Sequence, residues 1–183
     1  VIRLFAAVAV PPDIGESLVR RQGGIEGARW RPPEALHITL RYFGDLREDV
    51  ARDLDLALLN LGGPVFDLTL EGAGSFGEGA DLHSIWAGVT DNPALRRLAK
   101  AAELAARTVG LPPETRVYKP HVTLAYLRRA SGLEVAHWIQ ANNLLRSPPF
   151  PVSSFGLYSS WRTDEGSRYR LEASYPLAGH RPQ

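Results

Sequence analysis

One tetrapeptide pattern occurs twice, as His37-Ile38-Thr39-Leu40 and as His121-Val122-Thr123-Leu124, 84 positions apart in a chain of 183 residues. Each copy lies in an apolar, strand-like run, where a period of two puts His and Thr on one face and the two aliphatics on the other. The aliphatic face needs a core to cover it. The His-Thr face needs an open groove, because a polar pair turned inward would incur its desolvation cost in both copies. An offset near half the chain predicts two similar lobes about a pseudo-twofold axis, each bringing one strand to a shared cleft. Two imidazoles and two hydroxyls then face the same space. Imidazole is the side chain best placed to give or take a proton near neutral pH. With hydroxyl donors and no obvious carboxylate partner, the set fits acid–base chemistry on a phosphodiester better than nucleophilic catalysis.

Patterning along the chain agrees with this layout. Strands are predicted over 2–10, 36–43, 65–70, 82–89, 122–127, 151–159 and 169–175, and helices over 13–22, 48–59, 93–109 and, more weakly, 133–142. Pro11-Pro12 ends the first strand and Pro93 opens the long helix, since proline fixes its own φ and lacks an N–H. Leu54, Leu58 and Leu61 recur at helical spacing, as do Leu95, Leu98 and Ala102. Residues 23–33 read as a loop, Gly44-Asp45 as a turn, and Gly72, Gly74, Gly77 and Gly79 as a loop-like stretch. Gly166 marks a turn between the last two strands. The expected architecture is α+β in one domain, 1–183: two pseudo-symmetric lobes with sheets lining a central cleft and helices outside.

Composition narrows the classes. Hydrophobic residues make up 44% and charged residues 22%, ordinary for a soluble globular domain. Without cysteine, disulfide and thiolate chemistry are excluded. The 2–10 run is too short to span a bilayer, so a cytoplasmic protein without membrane attachment is expected. A net charge of +1 gives no global field to attract nucleic acid. Local bias exists: Arg20, Arg21, Arg29 and Arg31 flank the approach to the first motif, and Arg128 and Arg129 follow the second. Two His and two Thr make a poor zinc set, and Asp81, His83 and Asp91 would help only if the fold gathered them. His83, His137 and His180 have no setting comparable to the motif. The glycines spell no nucleotide-binding fingerprint.

The paired His-x-Thr motifs, the segments 3–7, 32–46, 119–127 and 155–161, Trp30 and Tyr169 resemble the two-histidine phosphoesterases. The subgroup is the LigT-like RNA 2',3'-cyclic phosphodiesterases, also described as 2'-5' RNA ligases. That resemblance implies a bilobal fold and metal-free, cofactor-free catalysis. It also implies hydrolysis of RNA 2',3'-cyclic phosphate ends to a 2'-phosphate in RNA processing, with reversible 2'-5' joining in some members. By the same resemblance His121 is the proton acceptor and His37 the proton donor. Thr39 and Thr123 would hold the phosphate oxygens. One position departs from the pattern: Tyr126 stands where close relatives often carry arginine. Arg128 or Arg129 is then the candidate replacement cation, Tyr126, Tyr42 and Phe43 are candidate substrate contacts, and Phe5, Trp30 and Trp161 are further stacking candidates. A monomer acting on RNA ends is expected; hydrolysis of small cyclic nucleotides and non-catalytic binding of RNA ends are the alternatives.

Overall fold

A computed structural model describes residues 1–178 as a mixed α+β fold. In chain order the elements are β1 (Ile2–Ala9), α1 (Pro12–Val19), β2 (Ala28–Trp30), β3 (His37–Leu46), α2 (Glu48–Leu59), β4 (Phe66–Leu68), β5 (Leu70–Phe76), β6 (Ser84–Val89) and α3 (Pro93–Thr108). There follow β7 (His121–Leu127), α4 (Gly132–Asn142), β8 (Phe150–Val152), β9 (Ser154–Thr163) and β10 (Gly166–Pro176). The long helix starts where its sequence says it should. The Asn92 side-chain oxygen accepts from the Ala94 and Leu95 N–H groups at 2.9 and 3.1 Å, and Pro93 occupies a position that needs no donor. Its predicted apolar face is buried through Leu95, Leu98 and Ala102, and α2 buries Leu54 and Leu58.

Antiparallel strands form one sheet in the order β10-β9-β1-β3-β7-β6-β5, with β2 alongside β7. Its two halves join through a single pair, Ile38 opposite Val122. These are the equivalent second residues of the two motifs, so the pseudo-twofold axis runs between them. Helices α2 and α3 pack together and against β10 and β3, whereas α4 packs against β5. Helix α1 is tied to α4 through the turn that follows it: Trp138 Nε1 donates to the Arg21 carbonyl at 2.9 Å. The lobes are therefore not the two halves of the chain. The C-terminal hairpin β9–β10 returns to β1, covering an edge that would otherwise expose unpaired N–H and C=O groups.

Several local expectations are corrected. The segment read as a loop contains β2, whose Arg29 and Trp30 pair with Tyr126 and Ala125. The glycine-rich stretch is largely strand β5. Gly72 there takes a positive φ of 75° at an irregularity between Leu70 and Ala73 and donates its N–H to the Leu145 carbonyl at 2.8 Å. Gly74 lies under the Trp86 ring, where an added Cβ would sit 2.4 Å from ring carbons. Strand β3 continues through Gly44-Asp45, Gly44 supplying a φ of 81° opposite Leu4. The run over 65–70 divides between β4 and β5, and that over 151–159 between β8 and β9; β4 and β8 pair as a separate two-stranded sheet. Helix α1 stops at Val19, short of the predicted 22.

Candidate active site

The two motifs meet at the centre of the sheet. Antiparallel pairing of Ile38 with Val122 brings His37 and Thr39 alongside Thr123 and His121, with the imidazoles at opposite ends of the pair. Ile38 and Val122 are fully buried beneath, while all four polar residues are partly exposed. Period-two alternation predicted this division, and the fold brings the four together.

Both motifs then break their alternation at the same place. Pairing with β1 passes from Thr39 opposite Ala7 to Arg41 opposite Ala6, and pairing with β6 passes from Thr123 opposite Trp86 to Ala125 opposite Ile85. Leu40 and Leu124, the fourth residue of each motif, are thus extra residues at bulges. One extra residue reverses the faces that follow it. Tyr42 and Tyr126, which regular strands would send to the helix-covered side, return to the cleft face; they are 47% and 44% exposed.

Each imidazole is held from behind and walled by aromatics. The Nδ1 of His121 lies 2.7 Å from the Lys119 carbonyl, and the backbone of Ala35, also two residues back, supports the His37 ring. At His121, an Nδ1–H donated to that carbonyl leaves Nε2 to meet the cleft. Phe5 stacks on His37 at 4.8 Å between centroids, and Tyr169 meets the same ring edge-on at 5.2 Å. In the other lobe Phe76 meets His121 edge-on at 4.8 Å and Trp86 lies at 6.3 Å. The Lys119 ammonium sits 5.5 Å from the Phe76 centroid. Tyr118 links the lobes by donating its hydroxyl to the Thr39 carbonyl at 2.8 Å.

Desolvation lowers both histidines. It brings His37 to about 4 against the opposing bond to Ala35, with Arg31 and His121 adding repulsion; His121 is lowered by burial and by Lys119. Near neutral pH both rings are therefore neutral before an anion binds.

Other sequence candidates are redistributed. Phe43 is a core residue, 7% exposed, with the Arg41 guanidinium over its ring, so it is not a cleft contact. Trp30 packs on Trp138 at 5.7 Å, and Trp161 stands apart in a shallow hollow with Val1, Arg3 and Arg170. Arg128 and Arg129 are exposed beyond the end of β7; the cation acting on His37 is Arg31, brought in by β2. Phe76, Trp86 and Lys119 were not singled out in the sequence, because a glycine-rich strand and a lone lysine carry no period-two signal. His83 bonds through Nδ1 to the Asp81 carbonyl at 2.9 Å, and Asp91 pairs with Arg96. Among the described residues no group of three His, Asp or Glu is placed to hold a metal ion, and no helix is long and apolar enough to cross a membrane. His180 lies outside the described residues.

A family model described as the 2'-5' RNA ligase superfamily matches residues 10–164. The chain belongs to this superfamily. Among superfamily relatives, an RNA 2',3'-cyclic phosphodiesterase of Archaeoglobus fulgidus is 27% identical over 172 residues, covering 92% of this chain and 97% of the relative. The RNA 2',3'-cyclic phosphodiesterase of Escherichia coli is 31% identical over 188 residues, covering 91% and 92%. The crystal structure of E. coli LigT complexed with 3'-AMP superposes with a TM-score of 0.77 at 27% identity, covering 96% of this chain and 98% of that one. Its α+β two-histidine phosphoesterase architecture is the one described above.

Proposed function

We propose that this superfamily member opens RNA 2',3'-cyclic phosphate ends to leave a 2'-phosphate, with His121 as general base and His37 as general acid. The observation that carries the reading is the symmetric meeting of the two motifs at Ile38 and Val122. In-line displacement at phosphorus needs a proton acceptor on the attacking side and a donor on the leaving side. Two imidazoles related by a twofold axis through the phosphate meet that need. His121 Nε2 takes a proton from water as the water oxygen bonds to phosphorus; the bond to the 3' oxygen breaks, and His37 Nε2–H protonates that oxygen. A proton passes back through solvent to restore the pair. With a 5'-hydroxyl in place of water, the same steps make a 2'-5' linkage. Relatives named for cyclic phosphodiesterase activity and a LigT crystallised with 3'-AMP support this substrate class. Both histidines come from one chain, so the reading takes 1–183 as one domain working as a monomer on RNA ends in the cytoplasm.

The test is a product assay with and without EDTA, comparing an oligoribonucleotide ending in 2',3'-cyclic phosphate with 2',3'-cyclic mononucleotides. Conversion of the oligomer to a 2'-phosphate end, unaffected by EDTA, is expected. A 3'-phosphate product reverses the two histidine roles, and selective cleavage of the mononucleotides reassigns the substrate. Tight binding without turnover of either makes the chain a binding module.

Thr39 and Thr123 are assigned to the nonbridging oxygens, as short neutral donors flanking the histidines. Thr→Val keeps the branched shape and removes the donor, so T39V and T123V should each lower kcat/KM by about 10-fold or more. Wild-type kcat/KM in both variants would transfer the oxygens to other donors.

The lowered histidines also set the pH dependence. Turnover needs one imidazolium and one imidazole, so kcat/KM is bell-shaped, with limbs belonging to the free-enzyme pair. Both limbs should lie below the ordinary histidine value of about 6.5. A bound phosphodiester anion favours imidazolium and displaces the kcat bell to higher pH. A kcat/KM optimum above about pH 7 would contradict the cleft's desolvation as the dominant influence.

A further inference from the structure

Arg31 is 4% exposed, and among the described residues no carboxylate lies within ion-pair distance of it. A buried guanidinium normally has an anion beside it, because removing a charge from water carries a large cost that only a partner and hydrogen bonds offset. Here the fold fixes the group in place without neutralising it. The backbone of Arg31 continues the pairing of β2 with β7: its N–H donates to the Leu124 carbonyl at 2.8 Å, and its carbonyl accepts from Gln22 Nε2 at 2.8 Å. Nη2 donates to the Ser167 carbonyl at 2.9 Å. The guanidinium carbon stands 5.3 Å from the centroid of Tyr169 and 5.8 Å from that of Tyr126, both within cation–π range. The Tyr126 ring supplies no formal charge at neutral pH. Burial and the neighbouring Tyr169 phenol push the Tyr126 phenol up to about 12, against the opposing pull of Arg31. Tyr169 is also the ring that abuts His37. The cation, the two phenols and the first catalytic histidine therefore form one contiguous wall.

We propose that Arg31 is a substrate-binding residue: it holds a phosphate oxygen of the RNA end on the His37 side of the cleft, the bound anion completing its charge. The inference rests on the functional reading above and adds a residue to it. It accounts for a tyrosine at 126, where the ring becomes a platform for a cation delivered from β2. It also gives β2 a purpose, since three residues of pairing fix the backbone of Arg31 against the strand that carries His121 and Thr123. As the anion binds, no large rearrangement is needed, because the guanidinium is already held by Ser167 and the two rings.

The probe is inorganic phosphate, titrated by calorimetry and by NMR into the wild type, Arg31→Gln and Arg31→Lys, with kcat/KM on the cyclic-phosphate oligomer measured in parallel. Loss of a charge-assisted bond predicts about 10- to 100-fold weaker phosphate binding in Arg31→Gln, with a fall of similar size in kcat/KM. Arg31→Lys should recover part of both, since it restores the charge without the planar fork. The His37 imidazole in Arg31→Gln should titrate at higher pH, as a repelling cation is gone; a merely structural role would not couple these readouts. If Arg31→Gln fails to fold, the wild-type side-chain Nε–H resonance of Arg31 is followed instead, and phosphate should shift it in step with binding. Folded Arg31→Gln with wild-type phosphate affinity, or an Arg31 resonance indifferent to saturating phosphate, overturns the proposal. Arg31-dependent phosphate binding in a protein that does not open the cyclic phosphate would leave this inference standing and remove the enzymatic reading.

Discussion

Alanine at His37 or at His121 is expected to lower kcat/KM for the cyclic-phosphate oligomer by about 100- to 10,000-fold, the usual range for removing a positioned acid or base. The double variant should lose little more than the worse single one, because acid and base act in the same transition state and their removal is not additive. Circular dichroism and a thermal melt must accompany the assay. His37 packs against Phe5 and Tyr169, so its truncation removes ring contacts as well as a proton. Asparagine at 37 keeps more of that volume and should be nearly as inactive. The direction of proton flow has its own test. A substrate with sulfur in place of the bridging 3' oxygen has a leaving group that departs without a proton, so it should rescue His37→Ala and leave His121→Ala inactive. Rescue of the opposite variant exchanges the roles, and near-normal turnover by either alanine variant on the natural substrate removes that histidine from the chemistry.

How far this site was legible in the sequence depends on the kind of signal involved. His37, Thr39, His121 and Thr123 were readable because period two is a local property, and one buried aliphatic between each pair fixes which face they share. The bulges at Leu40 and Leu124 were not. Each needs knowledge of the partner strand's register, which period-two patterning does not hold, and each decides whether the tyrosine three residues after its threonine faces the cleft or the core. Phe43 shows the consequence: as a strand residue adjacent to the motif it reads as a cleft contact, but the register shift beside it sends the ring into the core under Arg41. Arg31 was visible only as one of several arginines in an apparent loop. Its placement beside His37 comes from β2, a three-residue strand whose pairing to β7 is non-local. Which elements make up each lobe was not legible for the same reason. A sequence repeat gives the symmetry, whereas the return of β9 and β10 to β1 depends on which edge remains unpaired.

The largest stability effect is expected from Arg41, a cation close to the motif that faces away from the cleft. Its side chain is 10% exposed and paired with Glu103 of α3, whose side chain is 15% exposed. The remaining donors reach the Tyr42 carbonyl and, at 2.8 Å, the Pro112 carbonyl. Glu103 also accepts from Arg107 Nε at 3.0 Å and from the Glu114 N–H at 2.9 Å. These bonds tie β3 to its covering helix and to the segment that leads into the second motif. Burial alone would raise the Glu103 carboxyl, but bonds from Arg41, the Glu114 N–H and Arg107 hold it below the ordinary carboxylate range. Removing one partner of a buried pair typically costs about 3–5 kcal/mol, so Arg41→Met should lower the melting temperature by roughly 6–20 °C for a domain of this size. Activity at low temperature should fall less than about 10-fold, because no cleft group is removed. Adding Glu103→Leu to Arg41→Met should recover part of the loss, since an apolar pair avoids leaving a lone buried charge. The pH dependence follows from the sign of the shift. A carboxylate held low in the folded state contributes stability above its unfolded value, about 4.3, and loses it as pH falls through the folded value. The stability gap between wild type and Arg41→Met should therefore be widest near neutrality and narrow in acid. A gap that stays constant from pH 7 to about pH 3 would mean that Arg41 stabilises the fold through packing and its carbonyl bonds, and not through the charge on Glu103.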